Sequence, residues 1–171
     1  QIEPLLSGGT GSVSHTEEVP SFLPDRFEPG TPNIPGILGL HAALCDLEQT
    51  DMGKLHQHEL ELTQYFINGL MQMDPSESTL RAIGKHNTIE RTSVVSVQTL
   101  QTDMARVAYE MDDTYGIMTR VGLHCAPSAH KTLGTYPEGT IRFSFGPENT
   151  HHEVDLALHA LAEITGSPYH L

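Results

Sequence analysis

The spacing of apolar and polar residues predicts a long irregular segment followed by two helices. Proline and glycine recur so densely through residues 1–36 that neither a long helix nor a long strand fits there. Most positions from 37 to 47 are apolar, which predicts a mostly buried helix. Apolar residues in 54–73 follow a period close to 3.6 and predict a second helix, which Asp74-Pro75 ends.

The pattern changes after this second helix. We predict strands over 79–84, 92–99, 117–121 and 140–145, and helices over 101–115, 126–133 and from 149 or 150 to 164. Gly116 suits the end of its helix, and Thr150 with Glu153 forms a capping-box pattern. The predicted fold class is α+β: a small, mostly antiparallel sheet with helices packed on it. We expect an irregular arm over 1–36 and a small C-terminal α/β domain over 37–171.

Charge and composition exclude several classes of protein. Twenty-two acidic residues against nine basic ones give a net charge of −13 with histidine neutral, which argues against nucleic acid as a partner. The longest apolar run, 37–44, is interrupted by Gly39 and His41 and is far shorter than the ~20 residues of a membrane span. We therefore expect a soluble protein with no membrane partner.

The two cysteines, Cys45 and Cys125, cannot form a disulfide-rich framework, so a reducing cytoplasm is the expected location. The chain begins at Gln1 without a methionine, and we expect it to be part of a longer protein. Cys45 lies in an apolar helical segment and is interpreted as core packing.

Cys125 has a different setting. It lies just before a predicted helix, next to His124 and near Arg120, an environment that favours the nucleophilic thiolate. A lone cysteine is also commonly a small buried hydrophobe, and the local sequence does not decide between the two.

Other candidate groups carry weaker signals. Arg142 lies on the polar side of a short strand, where it could pair with a carboxylate or form an ordinary surface salt bridge. The glycine-rich segment 8–11 could cradle a phosphate, but it lacks the lysine of a P-loop. The histidines of 56–58 and 151–152 have no accompanying ligand set, so we predict no metal site.

Five segments in order resemble the carboxy-terminal part of cysteine desulfurases and selenocysteine lyases of the class V aminotransferase superfamily. They are Ser-Gly-Gly-Thr-Gly-Ser (7–12), Leu-Pro-Asp-Arg-Phe-Glu-Pro-Gly-Thr-Pro-Asn (23–33), Gly-Leu-His-Ala-Ala-Leu (39–44), Arg-Val-Gly-Leu-His-Cys-Ala-Pro (120–127) and Gly-Thr-Ile-Arg-Phe-Ser-Phe-Gly-Pro (139–147). The resemblance runs over nearly the whole chain. It implies the small C-terminal domain of a fold type I enzyme that uses pyridoxal 5'-phosphate.

The resemblance also implies roles for individual residues. Cys125 would accept sulfur from L-cysteine as a persulfide, which leaves L-alanine. Arg142 would hold the substrate carboxylate, and Arg120 and His124 would line the same pocket. Gly30 and Thr31 would bind the cofactor phosphate of the partner subunit in a homodimer. The compact cysteine loop resembles the subgroup that passes sulfur to an acceptor protein, for iron-sulfur clusters or other uses.

The chain departs from the family pattern in its lysines. Relatives bind the cofactor through a lysine in a His-Lys motif of a large domain that precedes this region. Here His130-Lys131 repeats the dipeptide, but it follows Cys125 and lacks the glycine-rich continuation. The resemblance therefore implies a cofactor lysine outside this chain, and we expect the isolated chain to be inactive. Two alternatives stay open: a selenocysteine lyase, and a non-catalytic persulfide carrier or interaction module.

Overall fold

The computed structural model describes residues 2–13 and 15–168, and the chain divides into two compact units, Gln1–Thr50 and Asp51–Leu171. In the first unit, the described residues before Ile34 form turns and bends without helix or strand, as predicted. Arg26 ties this arm to its own beginning through Nη2, which lies 3.0 Å from a Glu3 carboxylate oxygen.

Helix α1 (Ile34–Gln49) follows the arm. It begins at the Asn33 cap, whose side chain accepts a hydrogen bond from the Gly36 N–H. The prediction that this segment is mostly buried is wrong, because none of its residues is buried. Six apolar side chains are 45–62% exposed: Ile34, Ile37, Leu38, Leu40, Leu44 and Leu47. The apolar residues of α1 predict burial because apolar side chains are more stable away from water. Burial also requires other residues to pack against them, and the described residues of this unit do not do so.

Cys45 is half-buried on α1 and is not part of a core. Its Sγ lies 3.8 Å from Nδ1 of His41, one turn earlier. The structure groups α1 with the arm, so the division falls after Thr50 and not after residue 36, where the sequence suggested it.

The second unit is an α+β fold, which confirms the predicted class. Its elements in chain order are α2 (Met52–Met73), β1 (Leu80–Ile83), β2 (Val94–Thr99), α3 (Met104–Tyr115), β3 (Arg120–Gly122), α4 (Pro127–Leu133), β4 (Thr140–Ser144) and α5 (His151–Thr165). Each predicted element is present with shifted ends. Helix α3 ends at Gly116 in the left-handed region, and α5 begins with the Thr150–Glu153 capping box.

The four strands form one antiparallel sheet in the order β1-β2-β4-β3. Strand alternation places Val95, Val97, Ile141 and Phe143 on one face, where they are buried. Helices α2 and α3 pack on the sheet and α5 packs on both of them, which completes the core, with Leu62, Phe66, Val107, Leu158 and Leu161 fully buried. The opposite face carries the polar side chains that concern function.

No helix of the described residues is long and apolar enough to cross a membrane.

Candidate active site

A short loop between β3 and α4 presents Cys125. Its backbone is unusual, because His124 and Cys125 have φ values of +50° and +60°, a region that residues other than glycine seldom adopt. Gly122 opens the loop at φ +107°. Gly139 packs directly on it, so closely that a Cβ at Gly139 would lie 2.3 Å from the Gly122 carbonyl. The segment before β4 therefore holds the beginning of the cysteine loop.

The Cys125 thiol is free and exposed, so the interpretation of Cys125 as a buried hydrophobe does not apply. Arg120, at the beginning of β3, donates from Nη2 to Cys125 Sγ at 3.8 Å. The sulfur therefore lies within reach of a positively charged donor.

Arg142 lies directly opposite Arg120 in the antiparallel pairing of β3 with β4. It is half-buried, its Nε is buried without a hydrogen-bond partner, and it forms no ion pair with any described residue. The surface salt bridge that the sequence allowed is therefore not formed here. Like charges directly opposite each other in a sheet repel, so this pair of arginines favours an anion between or above them.

His124 completes the group. Its Nε2 lies 3.1 Å from Oγ1 of the buried Thr140, and its Nδ1 is buried without a partner. Burial lowers the pKa of His124, and the positive charges of Arg142, His130 and Arg120 lower it further. The ring is therefore neutral near pH 7 and accompanies the two guanidinium groups without adding to their charge.

The structure thus brings together four of the six predicted site residues: Arg120, His124, Cys125 and Arg142. Gly30 and Thr31 lie in the first unit. Gly30 has φ +88° with open space where a Cβ would be, and its N–H donates to the Gly9 carbonyl at 2.8 Å. The exposed Thr31 hydroxyl has no hydrogen-bond partner among the described residues, which fits an oxyanion ligand.

The three lysines are all exposed and have partners of their own. Lys54 lies near Asp51, Lys85 pairs with Glu90 at 2.7 Å, and the Lys131 ammonium lies 5.1 Å from the centre of the Tyr136 ring. Within 2–13 and 15–168, no cluster of three His, Cys, Asp or Glu side chains could hold a metal ion.

Sequence reasoning missed three residues that support the site: His130, Thr135 and Thr140. All three are buried behind the cysteine loop. The sequence signal for His130 is its position one turn into a short helix, which the resemblance of His130-Lys131 to a cofactor motif obscures. Thr140 could be found from its place at the beginning of β4, two residues before Arg142.

This chain is similar in sequence and fold to several cysteine desulfurases. A probable cysteine desulfurase of Pyrococcus abyssi is 34% identical over 97% of this chain and 40% of its own length. One from Methanothermobacter thermautotrophicus is 31% identical, again over 97% of this chain and 41% of its own length. Among solved structures, the apo cysteine desulfurase of Thermococcus onnurineus NA1 is 30% identical and aligns over 96% of this chain and 38% of its own, with a TM-score of 0.72.

The cysteine desulfurase CsdA of Escherichia coli, solved with an S-sulfonic acid, is 26% identical and aligns over 95% of this chain and 38% of its own, with a TM-score of 0.69. The chain therefore spans about two fifths of the length of these relatives. The family model described as "Aminotransferase class-V" matches residues 1–157, nearly the whole chain. With fold and sequence in agreement, the chain belongs to the class-V aminotransferase family.

Proposed function

We propose that this chain is the C-terminal portion of a pyridoxal phosphate-dependent cysteine desulfurase, in which Cys125 takes sulfur from L-cysteine as a persulfide. The observation that carries the proposal is an exposed thiol beside Arg120, which in turn faces Arg142 across β3 and β4. L-cysteine has a carboxylate and a sulfur, and we propose Arg142 as the partner of the carboxylate and Cys125 as the partner of the sulfur.

Arg142 is the proposed partner of the substrate carboxylate. Its guanidinium is half-buried and unpaired, and the fork of an arginine forms two parallel hydrogen bonds with a carboxylate. Two buried neighbours, Ile141 and Phe143, fix the strand that carries it. The carboxylate would enter a place that is already positively charged, so binding relieves the repulsion between Arg142 and Arg120.

Cys125 is the proposed sulfur acceptor. Its thiolate attacks the substrate sulfur, so that an S–S bond forms while the substrate Cβ–S bond breaks. The electron pair of the broken bond stays with the carbon, which takes up a proton and becomes the methyl group of L-alanine. Arg120, at 3.8 Å from Sγ, supplies positive charge for the attacking thiolate and for the persulfide that replaces it.

Pyridoxal phosphate, when bound, supplies the electron sink for this bond cleavage. Gly30 and Thr31 are the residues of this chain proposed to hold its phosphate, in the partner subunit of a homodimer. The lysines of this chain are exposed and engaged elsewhere, so we place the cofactor lysine in a preceding domain. The isolated chain would accordingly be inactive.

The exposure of Cys125 also suits a second step, in which the persulfide sulfur passes to an acceptor protein for iron-sulfur clusters or other uses. A thiol at the tip of a loop can be reached by a partner's cysteine, whereas a thiol in the core cannot. Such a reaction fits a cytoplasmic enzyme.

The test uses the complete protein, with its preceding domain and cofactor. Cys125→Ser should abolish persulfide formation, seen as a mass increase of one sulfur atom on the protein, and should reduce alanine release from L-cysteine by orders of magnitude. Cys45→Ser is the matched control and should leave both unchanged. Persulfide and alanine at control levels in Cys125→Ser would refute the proposal.

The same assay separates the alternatives. A selenocysteine lyase would release alanine from L-selenocysteine much faster than from L-cysteine. A carrier module would show no release from either amino acid in the complete protein, yet would accept sulfur on Cys125 from another persulfide.

A further inference from the structure

A buried histidine lies behind the cysteine loop and has no role in the reaction proposed above. His130 is 6% exposed and is the one buried residue of the seven-residue helix α4. An apolar side chain would fill this place at a lower desolvation cost. The contacts that the His130 imidazole makes with its neighbours must therefore offset this cost.

The ring of His130 is held in a fixed orientation. Its Nδ1 lies 2.6 Å from Oγ1 of Thr135, which is completely buried. The Thr135 hydroxyl also donates to the His130 carbonyl oxygen at 3.5 Å, which leaves the hydroxyl oxygen to accept from Nδ1–H. The Thr135 N–H donates to the same carbonyl at 2.9 Å and closes the turn. We assign a proton to Nδ1 of His130 on this basis.

The His130 ring packs against His124. Their ring centres are 5.7 Å apart at an angle of 46°, within the range of aromatic pairs. On the other side, His124 Nε2 meets the Thr140 hydroxyl. The His124 ring is thus held between β4 and α4.

This support matters because the backbone at His124 and Cys125 is strained. Two successive residues with a Cβ lie in the left-handed region, at a cost of roughly 1 kcal/mol each or more. Such a conformation persists only where surrounding contacts fix it. The His124 ring has such contacts, with Thr140 and with His130. Because Cys125 follows His124 directly, these contacts also fix the position of the cysteine.

We propose that His130 is a positioning residue: by packing against His124 it fixes the left-handed loop that holds the Cys125 sulfur beside Arg120. The proposal rests on the proposed function only in that Cys125 is the reacting thiol. The charged and titratable groups that face His124 are Arg120 from β3, Arg142 from β4 and His130 from α4.

The test measures the charge around the Cys125 sulfur and needs no cofactor. In the 171-residue chain with Cys45→Ser, the rates of alkylation by iodoacetate and by neutral iodoacetamide are compared at pH 7.5 and low salt. Both reagents consume the thiolate, so their ratio cancels the thiolate fraction and reports the positive potential at the sulfur. A sulfur held beside Arg120 favours the anionic reagent.

We expect His130→Ala to lower the iodoacetate-to-iodoacetamide ratio about two- to fivefold, the worth of one partly exposed charge contact. His130→Phe, which keeps a ring against His124, should restore most of the ratio. Ser128→Ala changes an exposed, uncharged neighbour on the same helix and is the matched control, with the wild-type ratio expected. Circular dichroism checks that each variant folds.

A wild-type ratio in His130→Ala would overturn the proposal, as would an equal fall in Ser128→Ala or in His130→Phe. If His130→Ala does not fold, Thr135→Val takes its place, because it removes only the hydroxyl that orients the ring, and the ratio must fall there too. None of these outcomes depends on turnover, so a failure here is distinct from a failure of the desulfurase assay.

Discussion

At the scale of single residues, two arginines, Arg120 and Arg142, face each other across neighbouring strands. Arg120 has the Cys125 sulfur as a partner, while Arg142 has no anion among the described residues. The strand pairing that creates this contrast joins residues 22 positions apart in the chain. The sequence indicated that Arg142 lies on the polar face of its strand, but only the register shows that it faces Arg120.

Arg142→Ala in the complete protein should weaken the capture of L-cysteine. A lost hydrogen bond to a charged group costs roughly 1.5 to 3 kcal/mol, so KM should rise on the order of 10- to 150-fold. Some loss of kcat should accompany it, because the same contact orients the substrate sulfur toward Cys125. Steady-state kinetics measure both, while the absorbance of bound cofactor should persist.

The control for this prediction is Arg106→Ala. Arg106 is an arginine whose partner, Glu110, lies one turn later on the same helix. It should leave KM unchanged. Normal cysteine binding in Arg142→Ala would mean that Arg142 is only a residue of the sheet surface.

The two cysteines should differ in reactivity. Cys125 is exposed beside a guanidinium, whereas Cys45 is half-buried on α1. Limited alkylation of the 171-residue chain with iodoacetamide, followed by peptide mapping, should therefore label Cys125 first. Preferential labelling of Cys45 would contradict this assignment.

At the scale of elements, the ends of helices and strands were predictable where a cap fixes them. The capping box of Thr150 with Glu153 and the left-handed Gly116 each involve residues only a few positions apart, so the local sequence is enough to predict them. Asp74 also fixes the end of a helix, but through contacts that the sequence did not reveal. It ends α2, but its carboxylate also accepts N–H bonds from Thr79 and Leu80, where β1 begins. The sequence showed only a helix stop, because these donors come from the next element.

This junction predicts a pH-dependent stability. Burial by itself raises the pKa of Asp74, but the N–H groups of Leu80 and Thr79 and the hydroxyls of Ser76 and Ser78 outweigh it and lower the value to about 2. The ionised form therefore stabilises the fold by up to about 2 kcal/mol. This contribution is complete above about pH 4, where the unfolded chain is also ionised, and is lost as the pH falls through about 2.

Asp74→Asn should accordingly be less stable than the wild type by about 1 to 2 kcal/mol at pH 7, with the difference shrinking toward pH 3. Urea unfolding at a series of pH values measures it. Asp112→Asn, an exposed change on α3, is the control and should show no such difference. A difference that is constant with pH would exclude the carboxylate as the cause.

For the whole molecule, the core lies entirely within one of the two units. Every buried apolar residue of the described chain falls between Leu62 and Ala162. The fold class of this unit was predictable because its strands alternate and its helices are amphipathic. The exposure of helix α1 was not predictable, since its apolar residues suggested burial that the described residues of its own unit do not provide.

The fragment 51–171 should therefore unfold cooperatively on heating, with a Tm within about 4 °C of the whole chain, which is a difference of ~1 kcal/mol or less. Circular dichroism measures the transition. A chain that ends at residue 148 is the contrasting case. It lacks α5, which supplies the fully buried Leu158 and Leu161, and should show no cooperative transition. A large loss of Tm in the fragment 51–171 would contradict this division.

The strand order has a consequence for how the molecule is made. Among the described residues, β4 is the last strand, yet it lies between β2 and β3 and is the one strand that pairs with β3. While the ribosome is still adding residues before Thr140, β3 has no partner in the sheet, and His124 in the loop that follows lacks its contact with the Thr140 hydroxyl. The Cys125 thiol and the Arg142 guanidinium therefore reach their places in one late event, and an unfinished chain carries the thiol without the site around it.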